Sequence, residues 1–380
     1  MSQAFFMLNN FLKIGLGLLV LGCLFVWRYD WFLADKISPK LTSDLLGKQF
    51  RVCEFPDWRY EYRNYIVCAD SLRLLVRTDN FNDFNYGDLI SVSGKLSSPE
   101  MVSYARYLSQ FGIQQLVEFP DLVLIREAEA DDWQSILWRL KRRTLELLFQ
   151  RYHEPYGSLA AGLLLGYRGS FSPDLNAVFQ RLGLTHILAV SGANIALLIY
   201  VFDLFGFFIS RFWRLWLTLF VLLVFCLLVG GAAVVRATLM GVVFLVARNF
   251  GFDYANLKIL FWVFVLMVMF NPLMPFVDLG FWLSFVATAG IIILVPIAKK
   301  FKLPEYVAVL LAAQVATAPL VMIFFANNFV LAFLANLLLG WLIPFLTVGV
   351  IVSLFVPYFD LVVMLVMQLF FFLVEAANSI

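Results

Sequence analysis

The second half of the chain is a succession of apolar runs, and this constrains the fold more than any other feature. They lie near 185–209, 213–230, 233–249, 257–271, 279–298, 306–325, 329–355 and 359–379, with short polar breaks between them. A bilayer's hydrocarbon core is about 30 Å thick and takes roughly 20 helical residues to cross. The third run is short, and the seventh is long and contains Pro344, so about seven or eight spans are expected within 156–380. A hydrophobic fraction of 62% and a mean hydropathy of +0.86 exclude a soluble domain. The expected fold class is a polytopic α-helical membrane protein.

Charge divides the chain. Residues 28–155 hold 17 of the 28 Lys and Arg and 19 of the 26 Asp and Glu, which leaves them net acidic by two. A water-soluble insert therefore precedes the bundle, without the charge balance of a broad nucleic-acid-binding surface. Ahead of it, Phe5 to Trp27 is apolar and closes on the interfacial group Arg28-Tyr29-Asp30-Trp31. It has no small-residue cleavage site, so residues 1–34 are expected to form an uncleaved first transmembrane helix.

Residues 35–130 have strand character. Gln49–Glu54, Tyr60–Cys68, Leu72–Arg77, Tyr86–Leu96 and Leu116–Ile125 read as five short strands, with Pro56-Asp57 as a turn. Five strands suit a small all-β barrel of the OB type. Pairing about a turn near Tyr60/Glu61 sets Cys53 opposite Cys68, at a distance a disulfide can bridge. The alternative is two buried thiols. A disulfide would put this domain on the oxidising, extracytoplasmic side. Cys23 and Cys226 sit in apolar runs as small core residues, and two histidines cannot make a His-rich metal centre. No cofactor is implied.

Trp58, Arg59, Tyr60, Tyr62 and Arg63 interleave rings with guanidiniums, the set a single-stranded nucleic acid would use. An ordinary solvated hairpin has the same composition. Residues 131–155 read as one amphipathic helix capped by Asp131 or Asp132. Its apolar stripe is Trp133, Ile136, Leu137, Leu140, Leu147, Leu148 and Tyr152. Its polar side carries Arg139, Lys141, Arg142, Arg143 and Arg151, which fits either an interfacial helix or a basic collar beside a passage for an anionic polymer.

Within the bundle, polar residues stand out because unsatisfied groups in hydrocarbon cost several kcal/mol each. Residues 181–202 set His186, Ser191, Gly192 and Asn194 into an apolar run, which reads as a pore lining or as a helix contact sealed by small residues. Arg236 needs a cavity or a partner, and Asp203 and Asp278 are the candidate counter-ions. Gln314 is a further polar point, and Pro319 and Pro344 are expected to break helices. Arg211/Arg214, Arg248/Lys258 and Lys299/Lys300/Lys302 fall in alternate loops. The positive-inside rule makes those loops cytoplasmic, the N-terminus cytoplasmic and the β domain extracytoplasmic.

These blocks resemble the membrane core of the ComEC family, channels that carry single-stranded DNA across the inner membrane in natural transformation. The resemblance runs through AAGLLLG at 160–166, GLTHILAVSG at 183–192, VVRATLMG at 234–241, Asn271-Pro272, DLGFWLSF at 278–285 and QVATAPL at 314–320, and in the insert through GDLISVSGKL at 87–96 and YARYLSQFGI at 104–113. It departs at Ala193-Asn194, where the family often has Leu-His, and the HxHxDH run of a metallo-β-lactamase-like domain is missing. The resemblance implies a polar path through His186, Ser191, Gly192, Asn194, Arg236, Asp278 and Gln314, with no nuclease of its own. Its implied partners are single-stranded DNA, the lipid bilayer, a cytosolic motor or single-strand-binding protein, and an extracytoplasmic receptor or nuclease. No GxxxxGK[ST] energy source is encoded. Two rival classes stay open: an intramembrane hydrolase using Ser191 and His186, and a small-solute transporter. Strand polarity and oligomeric state are open as well.

Overall fold

A computed structural model describes residues 45–378 apart from 71, 129–131, 168, 170, 186–191, 206–208, 252–255, 326–328 and 357. The expected helix within residues 1–34 lies outside the described residues, as do Asp131, His186 and Ser191.

The insert is a sheet of eight short strands: β1 (Leu45–Val52), β2 (Asp57–Trp58), β3 (Arg63–Ala69), β4 (Leu72–Thr78), β5 (Leu89–Gly94), β6 (Leu96–Ser97), β7 (Gln115–Glu118) and β8 (Asp121–Arg126). Helix α1 (Val102–Ser109) lies between β6 and β7. The strand order is β6-β7-β4-β3-β1-β5-β8, with β2 on β3, and β4–β7 is the one parallel pair among the described residues. Only Lys95 separates β5 from β6, so the path β1-β3-β4-β7-β6/β5 returns to β1. Alternate residues point inward, and Phe50, Val52, Tyr65, Val67, Leu74, Val76, Ile90, Val92 and Val117 form the core. Leu75 and Leu116 face the other way and are covered by Leu108 and Ile113, so β4 is apolar on both faces. The strand expected over 116–125 is split at Phe119-Pro120, where Phe119 has φ +48°.

The expected cysteine register holds only in part. β2 and β3 keep the alignment set by the turn, pairing Asp57 with Asn64 and Trp58 with Arg63. β1 is offset by two residues, pairing Arg51 with Cys68 and Val52 with Val67, and the Cys53 N–H donates to the Ile66 carbonyl. The slack is taken up over residues 53–56, where Pro56 has no N–H for a ladder. Cys53 and Cys68 are thus diagonal rather than opposite, with Cα atoms 5.9 Å apart, and they are joined as a disulfide.

Helix α2 (Trp133–Arg151) opens on Asp132, whose side chain accepts from the Gln134 N–H. Its apolar positions face two ways. Trp138, Leu145 and Leu148 are buried against the protein, whereas Trp133, Ile136, Leu140 and Leu147 of the expected stripe are exposed. After α2 come α3 (Tyr156–Leu165), α4 (Pro173–Arg181), α5 (Gly192–Phe205), α6 (Arg211–Val229), α7 (Ala232–Phe250), α8 (Asn256–Phe270), α9 (Met274–Val277), α10 (Leu279–Lys300), α11 (Glu305–Phe325), α12 (Phe329–Leu339), α13 (Leu342–Phe355) and α14 (Phe359–Asn378). Among the described residues, α6, α7, α10, α11 and α14 are long and apolar enough to cross a membrane, and α12 with α13 makes a sixth such unit bent by 42°. The chain is a polytopic helical membrane protein carrying an inserted small β domain. At 15 residues α8 rises only about 22 Å, short of a full crossing.

Of the two prolines expected to break helices, Pro319 lies inside α11 without ending it, as Pro296 does in α10, whereas Pro344 follows the 42° break between α12 and α13 and sits in the first turn of α13, where its missing N–H costs little. Helices α10 and α11 cross closely: a Cβ built on Gly290 would stand 2.3 Å from the Ala316 Cβ and 2.9 Å from the Ala312 carbonyl oxygen. Helix α2 joins the bundle through a buried hydrogen bond of 2.8 Å from the Tyr152 hydroxyl to Ser353 Oγ on α13, beside a contact of the Arg151 guanidinium with the Ser353 carbonyl.

Candidate functional site

Arg236 stands in the second turn of α7 and is only 6% exposed. Its Nε and Nη1 are buried and have no hydrogen-bond acceptor among the described residues. Neither expected counter-ion reaches it. Asp203 lies at the far end of α7, bound by Arg248 at 2.7 and 2.9 Å, and twelve residues of helix put about 18 Å between Arg248 and Arg236. Asp278 is occupied as the N-cap of α10, accepting from the N–H groups of Gly280 and Phe281. The Arg236 guanidinium instead lies over the Phe285 ring at 5.4 Å. Gly192 lies close by: a Cβ there would stand 4.0 Å from Arg236 Nη2 and 3.6 Å from the Ala237 Cβ, ordinary contact distances. Asn194, two residues on, is buried and donates to the Leu163 carbonyl at 3.1 Å, tying α5 to α3. Gly192, Arg236 and Phe285 therefore meet. Gln314 belongs to another contact, donating weakly to the Ala332 carbonyl while its Oε1 is buried without a partner among the described residues.

A second feature joins the β domain to the bundle. A cavity of about 410 Å³ is lined by Phe55, Trp58 and Arg59 from the β2 loop, Trp138 and Lys141 from α2, Tyr167, and the end of α6 at Gly230. Trp58 packs edge-on against Trp138 (5.7 Å) and Tyr167 (6.4 Å), and Gly169 meets it so closely that a Cβ would fall 1.6 Å from the Trp58 carbonyl oxygen. Its buried Nε1 has no acceptor among the described residues. The cavity reaches the Gly230-Gly231 turn that opens α7, where positive φ values of 72° and 86° call for glycine and a Cβ would meet open space.

The guanidiniums singled out in the sequence are mostly engaged within the protein. Arg59 pairs with Asp57 at 2.8 Å. Arg63 and Arg142 both bind Asp83 at 2.8 Å, linking β3 to α2, and both lie beside the Trp58 ring. Arg139 donates to the Ser135 carbonyl of its own helix, and Arg77 covers Tyr62 at 4.6 Å. Tyr60 and Arg143 are exposed. Trp58, Arg63 and Arg142 thus fasten the domain to its seat, and Tyr60 and Arg143 present their side chains outward. The residue that sequence reasoning passed over is Lys141. It lies 5.7 Å from the Phe55 ring, and burial pushes its ammonium down to about 8, against a partial opposing pull from Asp57. Only its place among the five basic residues of that helix distinguished it in the sequence.

The sequence model of the family described as "Competence protein" matches residues 163–380, more than half of the chain. The chain belongs to the competence protein family. The match covers Gly192, Asn194, Arg236, Asp278 and Gln314 and begins beyond the β domain. One curated relative, ComE operon protein 3 of Bacillus subtilis (strain 168), is 27% identical over 196 residues. That alignment takes in 50% of this chain and 24% of the relative, so the competence protein described here aligns with about a quarter of its relative's length. No solved structure matches the chain.

Proposed function

We propose that this protein admits single-stranded DNA across the inner membrane during natural transformation, as a channel rather than an enzyme. One observation carries the reading: among the described residues, Arg236 keeps two donors unpaired in the interior of an apolar bundle. An uncompensated buried guanidinium costs several kcal/mol and is retained where a passing anion completes it, and phosphate fits a planar fork of donors. The β domain supports the same reading. Its path β1-β3-β4-β7-β6/β5 follows the strand order of an oligonucleotide-binding barrel, in which the loop between the first two strands contacts the strand. Here that loop is 53–62, which carries Phe55, Trp58 and Tyr60 and lines the cavity that reaches Gly230 at the end of α6. In this reading the domain faces the extracytoplasmic side, as its disulfide favours. A cytosolic motor or single-strand-binding protein draws the strand in, and an outer receptor or nuclease delivers it.

The test is cytoplasmic uptake of labelled DNA in cells carrying Arg236→Ala or Arg236→Lys, with membrane insertion measured alongside. The expected result is normal insertion and retained surface DNA, with internalisation lost in Arg236→Ala and partly kept in Arg236→Lys. Unchanged uptake in Arg236→Ala would remove the guanidinium from the path, and unchanged uptake on deletion of the whole chain would reject the function.

A further inference from the structure

At the opposite end of α7 from Arg236, the last turn of α5, the first turn of α6 and the last turn of α7 enclose a second cavity of about 390 Å³. Asp203, Arg211, Arg214, Thr218, Arg248 and Asn249 line it. Three guanidiniums face one carboxylate. Arg248 binds Asp203 through both terminal nitrogens, at 2.7 and 2.9 Å. Arg211 is taken up by the end of α7, donating to Asn249 Oδ1 at 2.9 Å and to the carbonyls of Arg248 and Asn249 at 3.0 and 2.9 Å. Among the described residues, the Arg214 guanidinium has only a long contact of 4.0 Å with Asp203. The corner therefore carries an excess positive charge of about two, with Arg214 left to receive an anion.

The surroundings indicate which anion. Phe212, Trp213 and Trp216 are exposed beside the cavity, the aromatic belt of a membrane–water interface. From that belt the exposed residues Leu217, Phe220, Leu223 and Leu227 continue along α6 as an apolar stripe at helical spacing. A charged cavity at headgroup depth, continuous with a bare apolar stripe, has the two-part chemistry of a phospholipid. Basic pockets between helices on the cytoplasmic side hold such headgroups. We propose that this corner binds one anionic phospholipid, its phosphate on Arg214 with Arg211 and Arg248 as supporting charge and its acyl chains along the α6 stripe. Asp203 is the competing anion already in place. The inference does not depend on the DNA reading.

The experiment is native mass spectrometry of the full chain, released from phosphatidylcholine nanodiscs containing increasing phosphatidylglycerol. Wild type is expected to keep one phosphatidylglycerol in preference to phosphatidylcholine, and Arg214→Ala to lose that preference by about five- to tenfold, the worth of one interfacial arginine. Asp203→Asn, which removes the competitor, is expected to tighten binding severalfold, so a result of opposite sign stands even if one variant folds poorly. Arg214→Lys, which keeps the charge, is expected to fall between wild type and Arg214→Ala. Equal retention of both lipids by wild type, or unchanged retention in a folded Arg214→Ala, would overturn the proposal. Displacement of the lipid by millimolar inorganic phosphate would overturn it in favour of a soluble phosphate, and displacement by a short oligonucleotide in favour of a nucleic-acid contact.

Discussion

Replacing Arg236 by methionine should make the protein more stable and stop it working. The guanidinium has two buried nitrogens without acceptors among the described residues, and each such donor costs about 1–3 kcal/mol. Its position over Phe285 returns about 0.5–2 kcal/mol. Methionine fills a similar volume and keeps a sulfur–ring contact of about 0.3–1.5 kcal/mol, so the substitution removes the burial cost while losing little else. The net expectation is a gain of about 1–4 kcal/mol, in the range found when buried ionic groups elsewhere are exchanged for well-packed apolar ones. Equilibrium unfolding of the purified protein in mixed micelles, followed by tryptophan fluorescence, measures it, and the uptake assay measures function on the same variant. A higher midpoint with lost uptake is the signature of a charge kept for function against stability. A lower midpoint would refute the reasoning, because it would mean that the guanidinium holds a structural contact.

Three further outcomes follow from the geometry. Gly290→Ala should cost about 1–3 kcal/mol by forcing α10 from α11, and Ala316→Gly should restore part of the loss; an unchanged thermal midpoint would mean that the crossing is looser than 2.3 Å allows. Cys53→Ala with Cys68→Ala should lower the stability of the β domain by about 3 kcal/mol for a 15-residue separation, and reductant should bring wild type to the same value in limited proteolysis. Lys141 should make short-oligonucleotide binding fall as pH rises through about 8, where its proton is lost, and Lys141→Met should flatten that profile. Without ligand the sign reverses: the unfolded chain holds this proton up to about 10.5, so this residue's contribution to folding stability grows from pH 8 upward, which a pH series of denaturation midpoints checks.

Hydropathy and charge were enough to read the bundle and its insert, because lipid leaves so little latitude for where charge can go. Residues whose role depends on a neighbour distant in sequence were less legible. The stripe along 133–152 was visible, but not that Trp138, Leu145 and Leu148 take the inner face while Trp133, Ile136, Leu140 and Leu147 point outward. The turn at Tyr60/Glu61 set the β2–β3 register, and nothing local announced the two-residue offset ahead of Pro56. Arg236 was conspicuous by type, yet both acids proposed for it are held elsewhere, one by Arg248 and one by a helix N-terminus. Arg63 and Arg142 read as free cations because Asp83, which holds both, is remote from α2 in the chain.

The fastening of the β domain has a mechanical consequence. Asp83 clamps β3 to α2, Gly169 lies flush against the Trp58 backbone, and Tyr152 bonds to Ser353 deep in α13. The domain is fastened to the bundle and not held on a tether. In the proposed reading, a strand held by the 53–62 loop would lie beside the Gly230-Gly231 turn ahead of α7. Its local concentration there is set by geometry and not by the search of a flexible linker. A sideways pull on the domain would be carried through α2 to Ser353, in the last turn of α13.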